Sequence, residues 1–179
     1  MRYRCRVSRN SALRAVLALL VCSLSTRTLG SERADALSAL EGKLQAIVSD
    51  LQSRLLITSP IVVSIVPSNT LMMSVEAPTD TRDTFLLSVE AGFLDTLTDD
   101  ELEAAVAHEL GHVWIFTHHP FLQTEELANR IAMRAVRRES LERVYAKVWE
   151  RGGTKGDLVW FLGGAPAASA AGLAPGTSR

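Results

Sequence analysis

The feature that most constrains this chain is residues 108–112, which read H-E-x-x-H. On a helix, that spacing places His108 and His112 one turn apart on the same face, with the carboxylate of Glu109 beside them. Such an arrangement is typical of a zinc site with its general base. All four histidines of the chain lie in or just after this segment: His108, His112, His118 and His119. Imidazole ligation is therefore concentrated at one place.

The residues around this motif predict the helix that it needs. Thr98 and Glu101 have the spacing of a capping box, in which each side chain satisfies a main-chain amide at the start of a helix. Pro120 disfavours helical geometry at the residue before it, so the helix should end by about residue 117 or 118. Between these limits, four apolar residues at helical spacing predict a buried stripe: Leu102, Val106, Leu110 and Val113.

Short apolar runs before this helix predict a small sheet. The β-branched run at residues 61–66 is ended by Pro67 and predicts a strand. Residues 71–75 and 85–89 are two further apolar runs, separated by turn-forming residues. They predict an antiparallel pair joined by a loop.

Two further helices are predicted, one near each end of the domain. Apolar residues recur at intervals of three and four from residue 31 to about residue 56, as in an amphipathic helix. A second helix is expected from about residue 123 to about residue 149, with a candidate break at residues 137–140 and an end at Gly152-Gly153. Tyr145 on this helix is a candidate hydrogen-bond donor for catalysis, although packing is the commoner role of a lone tyrosine.

The composition limits the class of protein. With 179 residues and 47% hydrophobic side chains, the chain suits one domain with one core. The formal net charge is −1 and charges of both signs are interspersed, so nothing indicates nucleic acid as a partner. The two cysteines, Cys5 and Cys22, both lie near the N-terminus. A disulfide scaffold or a cysteine-based metal site is therefore excluded for the rest of the chain.

Residues 1–30 have the pattern of a secretory signal peptide. Five arginines precede a short apolar run at residues 15–22, and polar residues follow. The run is shorter than the roughly 20 apolar residues that a membrane-spanning helix needs. We therefore expect cleavage near Gly30 or Ala36 and a periplasmic or secreted protein. Contact with a membrane is expected only through this leader, if it stays uncleaved as an anchor or is lipidated at Cys22.

The third metal ligand has two candidates, because a catalytic zinc site takes three protein ligands and leaves a fourth position for water. His118 would complete a metzincin-like spacing, but those peptidases carry glycine where this chain has Ile115, which should continue the helix and carry His118 away. Glu125 lies near the start of the next helix, which a short turn would fold back antiparallel to the first. Glu125 is the favoured ligand, His118 the alternative, and Glu126 the nearest substitute.

Residues 98–112 read T-D-D-E-L-E-A-A-V-A-H-E-L-G-H and follow Gly92-Phe93-Leu94. This stretch resembles the core of the M48 family of zinc metallopeptidases, the Ste24/HtpX-like gluzincins. That family has a later E-x-x-A-D motif whose glutamate is the third zinc ligand. Residues 125–129 are similar to it, with Asn129 in place of the aspartate. The resemblance extends over residues 60–136.

The resemblance implies an α+β, zincin-like fold, a minimal gluzincin with helices packed on a small, mainly antiparallel sheet. It also implies an edge strand that aligns an extended substrate, for which residues 71–75 are the candidate. The metallopeptidase-like domain would span residues 31–150, before a largely disordered C-terminal extension at residues 151–179. Two departures from the family are the short interval between the motifs and Asn129, which changes the group that supports the metal ligands.

The implied activity is that of a zinc-dependent metalloendopeptidase acting on peptides or unfolded proteins. His108, His112 and Glu125 would hold Zn²⁺, and Glu109 would be the general base that later protonates the leaving amine. The alternative is a catalytically inactive gluzincin-like binding or regulatory module, which Asn129 and the short segment after the motif would favour. A third hypothesis is a metal-free helical hairpin.

Overall fold

A computed structural model describes residues 34–80, 83–153 and 156–163 of the chain. The chain divides into two compact units, Met1–Lys43 and Leu44–Arg179. The leader expected at residues 1–30 and most of the tail expected after residue 150 lie outside the described residues. Within the described ranges, no helix is long and apolar enough to cross a membrane.

The described residues form six helices and three strands in an α+β arrangement, as expected. Helix α1 covers residues 34–55, of which residues 34–43 belong to the first unit. The remaining elements, in order, are β1 (Ile61–Val66), β2 (Met73–Glu76), β3 (Phe85–Glu90), α2 (Ala91–Leu94), α3 (Asp99–His118), α4 (Glu125–Ala132), α5 (Arg138–Gly152) and α6 (Leu158–Leu162).

The three strands form a mixed sheet in the order β1-β3-β2. The predicted antiparallel pair is confirmed, because β2 pairs with β3 in that direction with Met73 opposite Val89. Strand β1 pairs with β3 in parallel, with Ile61 opposite Phe85. The expectation of a mainly antiparallel sheet was therefore wrong. The physical reason lies in β3, which is buried along most of its length and occupies the centre, between β1 and β2.

Helix α3 is the central helix of the domain. The capping box is present: the Glu101 N–H donates to Thr98 Oγ1 over 3.4 Å, and the Thr98 N–H donates to the Glu101 carboxylate over 2.8 Å. The helix ends at His118, as Pro120 predicted. The four residues of the predicted stripe are buried, but so are residues on other faces: Ala104, Ala107, Gly111 and Ile115. Most of the helix surface is therefore covered rather than one face alone.

The helix predicted from about residue 123 to about residue 149 is divided into α4 and α5. Residues 133–137 separate the two helices, and Arg137 has an extended backbone that begins α5. Gly153 ends α5 in the left-handed conformation with φ +65°, as expected from the glycine pair. Because the chain turns between them, α4 and α5 both contact α3.

The main chains of α3 and α4 meet at Gly111 and Ala128. A Cβ atom added to Gly111 would lie 2.9 Å from the Cα atom of Ala128 and closer still to its carbonyl oxygen. Real Cβ atoms do not approach main-chain atoms so closely. The absence of a side chain at Gly111 therefore sets the distance between the two helices, and α4 begins one turn before this contact, at Glu125.

Glu101 is a buried residue that joins the start of α3 to α5 through two ion pairs. Its side chain is 5% exposed, and its carboxylate lies 2.6 Å from Lys147 Nζ and 3.3 Å from Arg143 Nε. Burial alone raises the pKa of Glu101, but hydrogen bonds from Lys147 and Thr98 outweigh burial and lower that pKa to about 2. The charged form of Glu101 is thus the one that the fold stabilises.

We expect the substitution Gly111→Ala to lower the free energy of unfolding by about 1–3 kcal/mol, because the new methyl group would push α4 away from α3. Urea denaturation measures this effect. Gly42→Ala is the matched control: Gly42 is an exposed helical glycine whose added Cβ would meet no atom within 4 Å. Alanine there should raise stability by about 0.5–1 kcal/mol. Equal effects of the two substitutions would contradict the helix contact.

The pKa of Glu101 also predicts a pH dependence of stability. The folded-state pKa lies below the unfolded value, so the contribution is complete above about pH 4.5 and is lost as the pH falls toward 2. We expect a loss of about 1–2 kcal/mol, since Lys147 and Arg143 are partly exposed to solvent. Glu101→Gln keeps the capping-box geometry and should remove this part of the pH dependence. If the unfolding free energy changed with pH by the same slope in the unsubstituted protein and in Glu101→Gln, Glu101 would not be the source of this pH dependence.

Candidate metal centre

Three side chains from α3 and α4 converge on one point: His108, His112 and Glu125. Their ligand atoms all lie within 4.8 Å of one another. His108 Nε2 is 3.2 Å from Glu125 Oε2, and His112 Nε2 is 3.5 Å from Glu125 Oε1. The two rings stand at 89° to each other with their centroids 4.9 Å apart. Both Nε2 atoms therefore face the carboxylate.

Local structure explains why these side chains meet. The two histidines lie four residues apart on α3, which places them on one face. Glu125 is the first residue of α4, where the Thr124 side chain accepts the Leu127 N–H and caps the helix. The helix contact at Gly111 and Ala128 then holds the start of α4 opposite the histidines.

The separations of the donor atoms fit a metal ion. Zinc bonds of about 2.0–2.2 Å in tetrahedral geometry place neighbouring donor atoms about 3.3 Å apart. The separations between each Nε2 atom and the nearer Glu125 oxygen, 3.2 and 3.5 Å, lie on either side of that value, and all the ligand atoms lie within 4.8 Å of one another. Two imidazoles and a carboxylate are donors that zinc and similar divalent ions accept in proteins. The residues therefore fit a divalent metal ion.

The second ring nitrogen of each histidine is hydrogen-bonded to a side-chain amide oxygen. His108 Nδ1 lies 2.8 Å from Asn129 Oδ1, and His112 Nδ1 lies 3.2 Å from Gln123 Oε1. An amide oxygen can only accept a hydrogen bond, so each Nδ1 carries the proton. Each Nε2 is then the ring nitrogen that faces Glu125, and it is the atom through which the ring would bind a metal ion.

Asn129 is fully buried and all its side-chain hydrogen-bonding groups have partners. Its Nδ2 donates to Tyr145 Oη over 2.7 Å and to the Phe161 carbonyl oxygen over 2.8 Å. Its Oδ1 accepts from His108. The amide thus supplies the hydrogen bond that the aspartate of the M48 motif was expected to supply, and support of His108 is retained.

Electrostatics in the cluster favour a charged Glu125. Hydrogen bonds from His108 and then His112 hold the pKa of Glu125 well below its usual range, against the opposing effect of burial. Burial lowers the pKa of His112, but Glu125, Glu109 and Gln123 together outweigh burial and raise it. Both pKa shifts therefore reflect the close approach of the Glu125 carboxylate to the two rings.

Glu109 lies in a cleft of about 540 Å³ that also contains the three converging side chains. Burial raises the pKa of Glu109, although the two histidines and a hydrogen bond from the Val75 main-chain N–H oppose that effect. Strand β2 forms one wall through residues 73–75 and brings its main chain to Glu109. Much of the remaining wall is apolar: Phe85, Phe93, Phe116, Leu141, Val144 and Val148.

Two residues of the site, Tyr145 and Gln123, could be identified only weakly or not at all from the sequence. Tyr145 packs its ring at 5.9 Å from the His108 ring and donates from Oη to Glu125 Oε2 over 3.4 Å. Packing was the favoured role from sequence, and the structure shows packing and hydrogen bonding together. Gln123 lies just before α4, and only its three-dimensional position next to His112 indicates its role.

The structure places the other candidate ligands away from the cluster. His118 is the last residue of α3, where its ring stacks on Trp114 with centroids 4.0 Å apart and its Nδ1 lies 2.9 Å from the Trp114 carbonyl oxygen. His119 follows as the C-cap of α3. Glu126 forms an ion pair with Arg130 on the outer surface of α4. None of these three belongs to the group of converging ligand atoms in the described residues.

Comparison with known proteins identifies no family. No protein-family model matches the chain. No curated protein matches it either. Among solved structures, the crystal structure of the metallopeptidase zymogen of Pyrococcus abyssi abylysin is similar with a TM-score of 0.46 and 14% sequence identity, over 64% of this chain and 99% of that chain. Membership of the M48 family therefore stays a prediction from the motifs.

The geometry predicts which of the two candidates is the third ligand. We expect Glu125→Ala to weaken zinc binding more than about 100-fold, because it removes one of three donors. His118→Ala should change the affinity for zinc less than threefold, since the His118 ring stacks on Trp114 away from the three converging side chains. Zinc titration against a chelating indicator measures both. The opposite order of the two effects would assign the site to His118.

Proposed function

We propose that this protein is a zinc-dependent metallopeptidase, with His108, His112 and Glu125 as metal ligands and Glu109 as general base. The observation that carries the proposal is the convergence of two Nε2 atoms and one carboxylate at metal-ligand separations, inside a cleft that also contains Glu109. Zinc bound there would supply an activated water and polarise the carbonyl group of a peptide bond.

Glu109 has the position that the general base of this chemistry requires. It follows the first ligand on α3 and lines the same cleft as both histidines. The Val75 N–H holds one side of its carboxylate by a hydrogen bond. We propose that Glu109 takes the proton from water and delivers it to the leaving amine, as one group acting first as base and then as acid.

Strand β2 supports a peptide substrate rather than a small molecule. It lies at an edge of the sheet in the described residues and lines the cleft beside Glu109. An extended segment can pair with an edge strand through its main chain. Peptides and unfolded proteins present such segments, and a mostly apolar cleft wall would accept their apolar side chains. Tyr145 also lines the cleft, and its Oη is our candidate donor to the carbonyl oxygen of the bond that is cleaved.

Export is a further part of the proposal and depends on the sequence pattern alone. The arginines and the apolar run of residues 1–30 support a secretory leader. The mature domain would then act outside the cytoplasm, either free or held to a membrane by an uncleaved leader.

The test is hydrolysis of an unfolded protein such as casein by the zinc-loaded protein. We expect Glu109→Gln to lower the rate more than about 1,000-fold while zinc binding is retained, because the ligands are unchanged and the base is lost. Glu139→Gln, an exposed glutamate on α5, is the matched control and should leave the rate unchanged. Activity that survives Glu109→Gln would exclude this mechanism. Zinc binding without any turnover of casein or a broad peptide library would identify an inactive binding module instead.

A further inference from the structure

The short helix α6 packs against α4 and α5 beside the candidate metal site. Leu162 is 2% exposed, and the Phe161 ring lies 5.3 Å from the Tyr145 ring. The Arg138 guanidinium donates to the carbonyl oxygens of Leu162 and Gly163 over 3.1 and 2.9 Å. These contacts bring the Phe161 carbonyl oxygen to 2.8 Å from Asn129 Nδ2.

The Phe161 carbonyl decides which way the Asn129 amide points. An amide side chain can rotate by 180°, which exchanges its oxygen and nitrogen. Tyr145 Oη tolerates either orientation, because a hydroxyl both donates and accepts. The His108 ring also tolerates either orientation, because its two neutral tautomers exchange donor and acceptor. A carbonyl oxygen only accepts, so Phe161 requires Nδ2 on its side and Oδ1 on the side of His108.

The orientation of this amide has a direct effect on His108. With Oδ1 toward the ring, Nδ1 carries the proton and Nε2 has the lone pair that a metal needs. With the amide reversed, Nδ1 would accept from Nδ2, and the proton would move to Nε2, which faces Glu125. That tautomer cannot bind a metal through Nε2.

We propose that α6 is a positioning element of the metal centre: through the Phe161 carbonyl and Asn129 it selects the metal-binding tautomer of His108. This inference depends on the proposed metal site. Two-way coupling follows, because docking of α6 favours metal binding and, by the same factor, metal binding favours docking of α6. The pairing also accounts for Asn129, since an aspartate could accept from His108 but has no hydrogen to donate to Phe161.

Substitutions in α6 test the coupling without changing the cluster. Leu162→Ala removes a buried anchor of α6, whereas Val159→Ala shortens a side chain of the same helix that is 56% exposed. We expect Leu162→Ala to weaken zinc binding by the full chain about tenfold, and Val159→Ala to change it less than twofold. In the zinc-loaded protein, the His108 Nδ1–H should exchange slowly with water because Asn129 Oδ1 accepts it, and Leu162→Ala should speed this exchange about tenfold. Equal zinc affinities and equal exchange of the His108 Nδ1–H would overturn the proposal.

Hydrogen exchange tests the reverse direction. Zinc should slow exchange of the α6 amides about tenfold in the unsubstituted protein, the same factor as the change in affinity. Asn129→Asp should remove this protection, because the carboxylate would face the Phe161 carbonyl without a hydrogen between them. Zinc binding that leaves α6 exchange unchanged would overturn this inference alone. A protein that binds no zinc would overturn both this inference and the proposed function.

Discussion

The candidate site depends on the close contact between Gly111 of α3 and Ala128 of α4. Because Gly111 has no side chain, the two main chains touch, and the first turn of α4 lies directly over the histidine face of α3. Glu125 can then approach both Nε2 atoms to 3.2 and 3.5 Å. If the helices were further apart, Glu125 would lie too far from the two histidines to share a metal ion with them. Two histidines alone are too few donors for a tightly bound ion.

The hydrogen bonds around the cluster organise its donors before any ion binds. The amide oxygens of Asn129 and Gln123 hold the two rings by Nδ1 and direct both Nε2 atoms to the same point. Asn129 in turn donates to Tyr145 on α5 and to the Phe161 carbonyl on α6, and the carbonyl requires Nδ2 on its side. Elements far apart in the chain therefore contribute to one site, and the segment expected to be a C-terminal extension contains one of them.

Much of the fold was predictable because it depends on neighbours in sequence. The capping box at Thr98 and the stop at Pro120 bounded α3, and alternating or continuous apolar runs identified all three strands. One prediction was wrong: the sheet is mixed rather than mainly antiparallel, because β1 pairs in parallel with β3. The candidate break at residues 137–140 lies next to the observed division between α4 and α5, which covers residues 133–137. Strand direction depends on what packs against a segment rather than on its own residues.

By itself, the sequence determined the two-histidine face and the position of Glu109 beside it, because a helix places residues four apart on one face whatever surrounds it. It also favoured Glu125 over His118, on the expectation that the next helix folds back. Only the tertiary structure decided that Glu125 meets both rings, that His118 stacks on Trp114 instead, and that Asn129 serves His108. These outcomes depend on how closely two main chains can approach and on which acceptor faces a buried amide, and packing across the whole domain sets both.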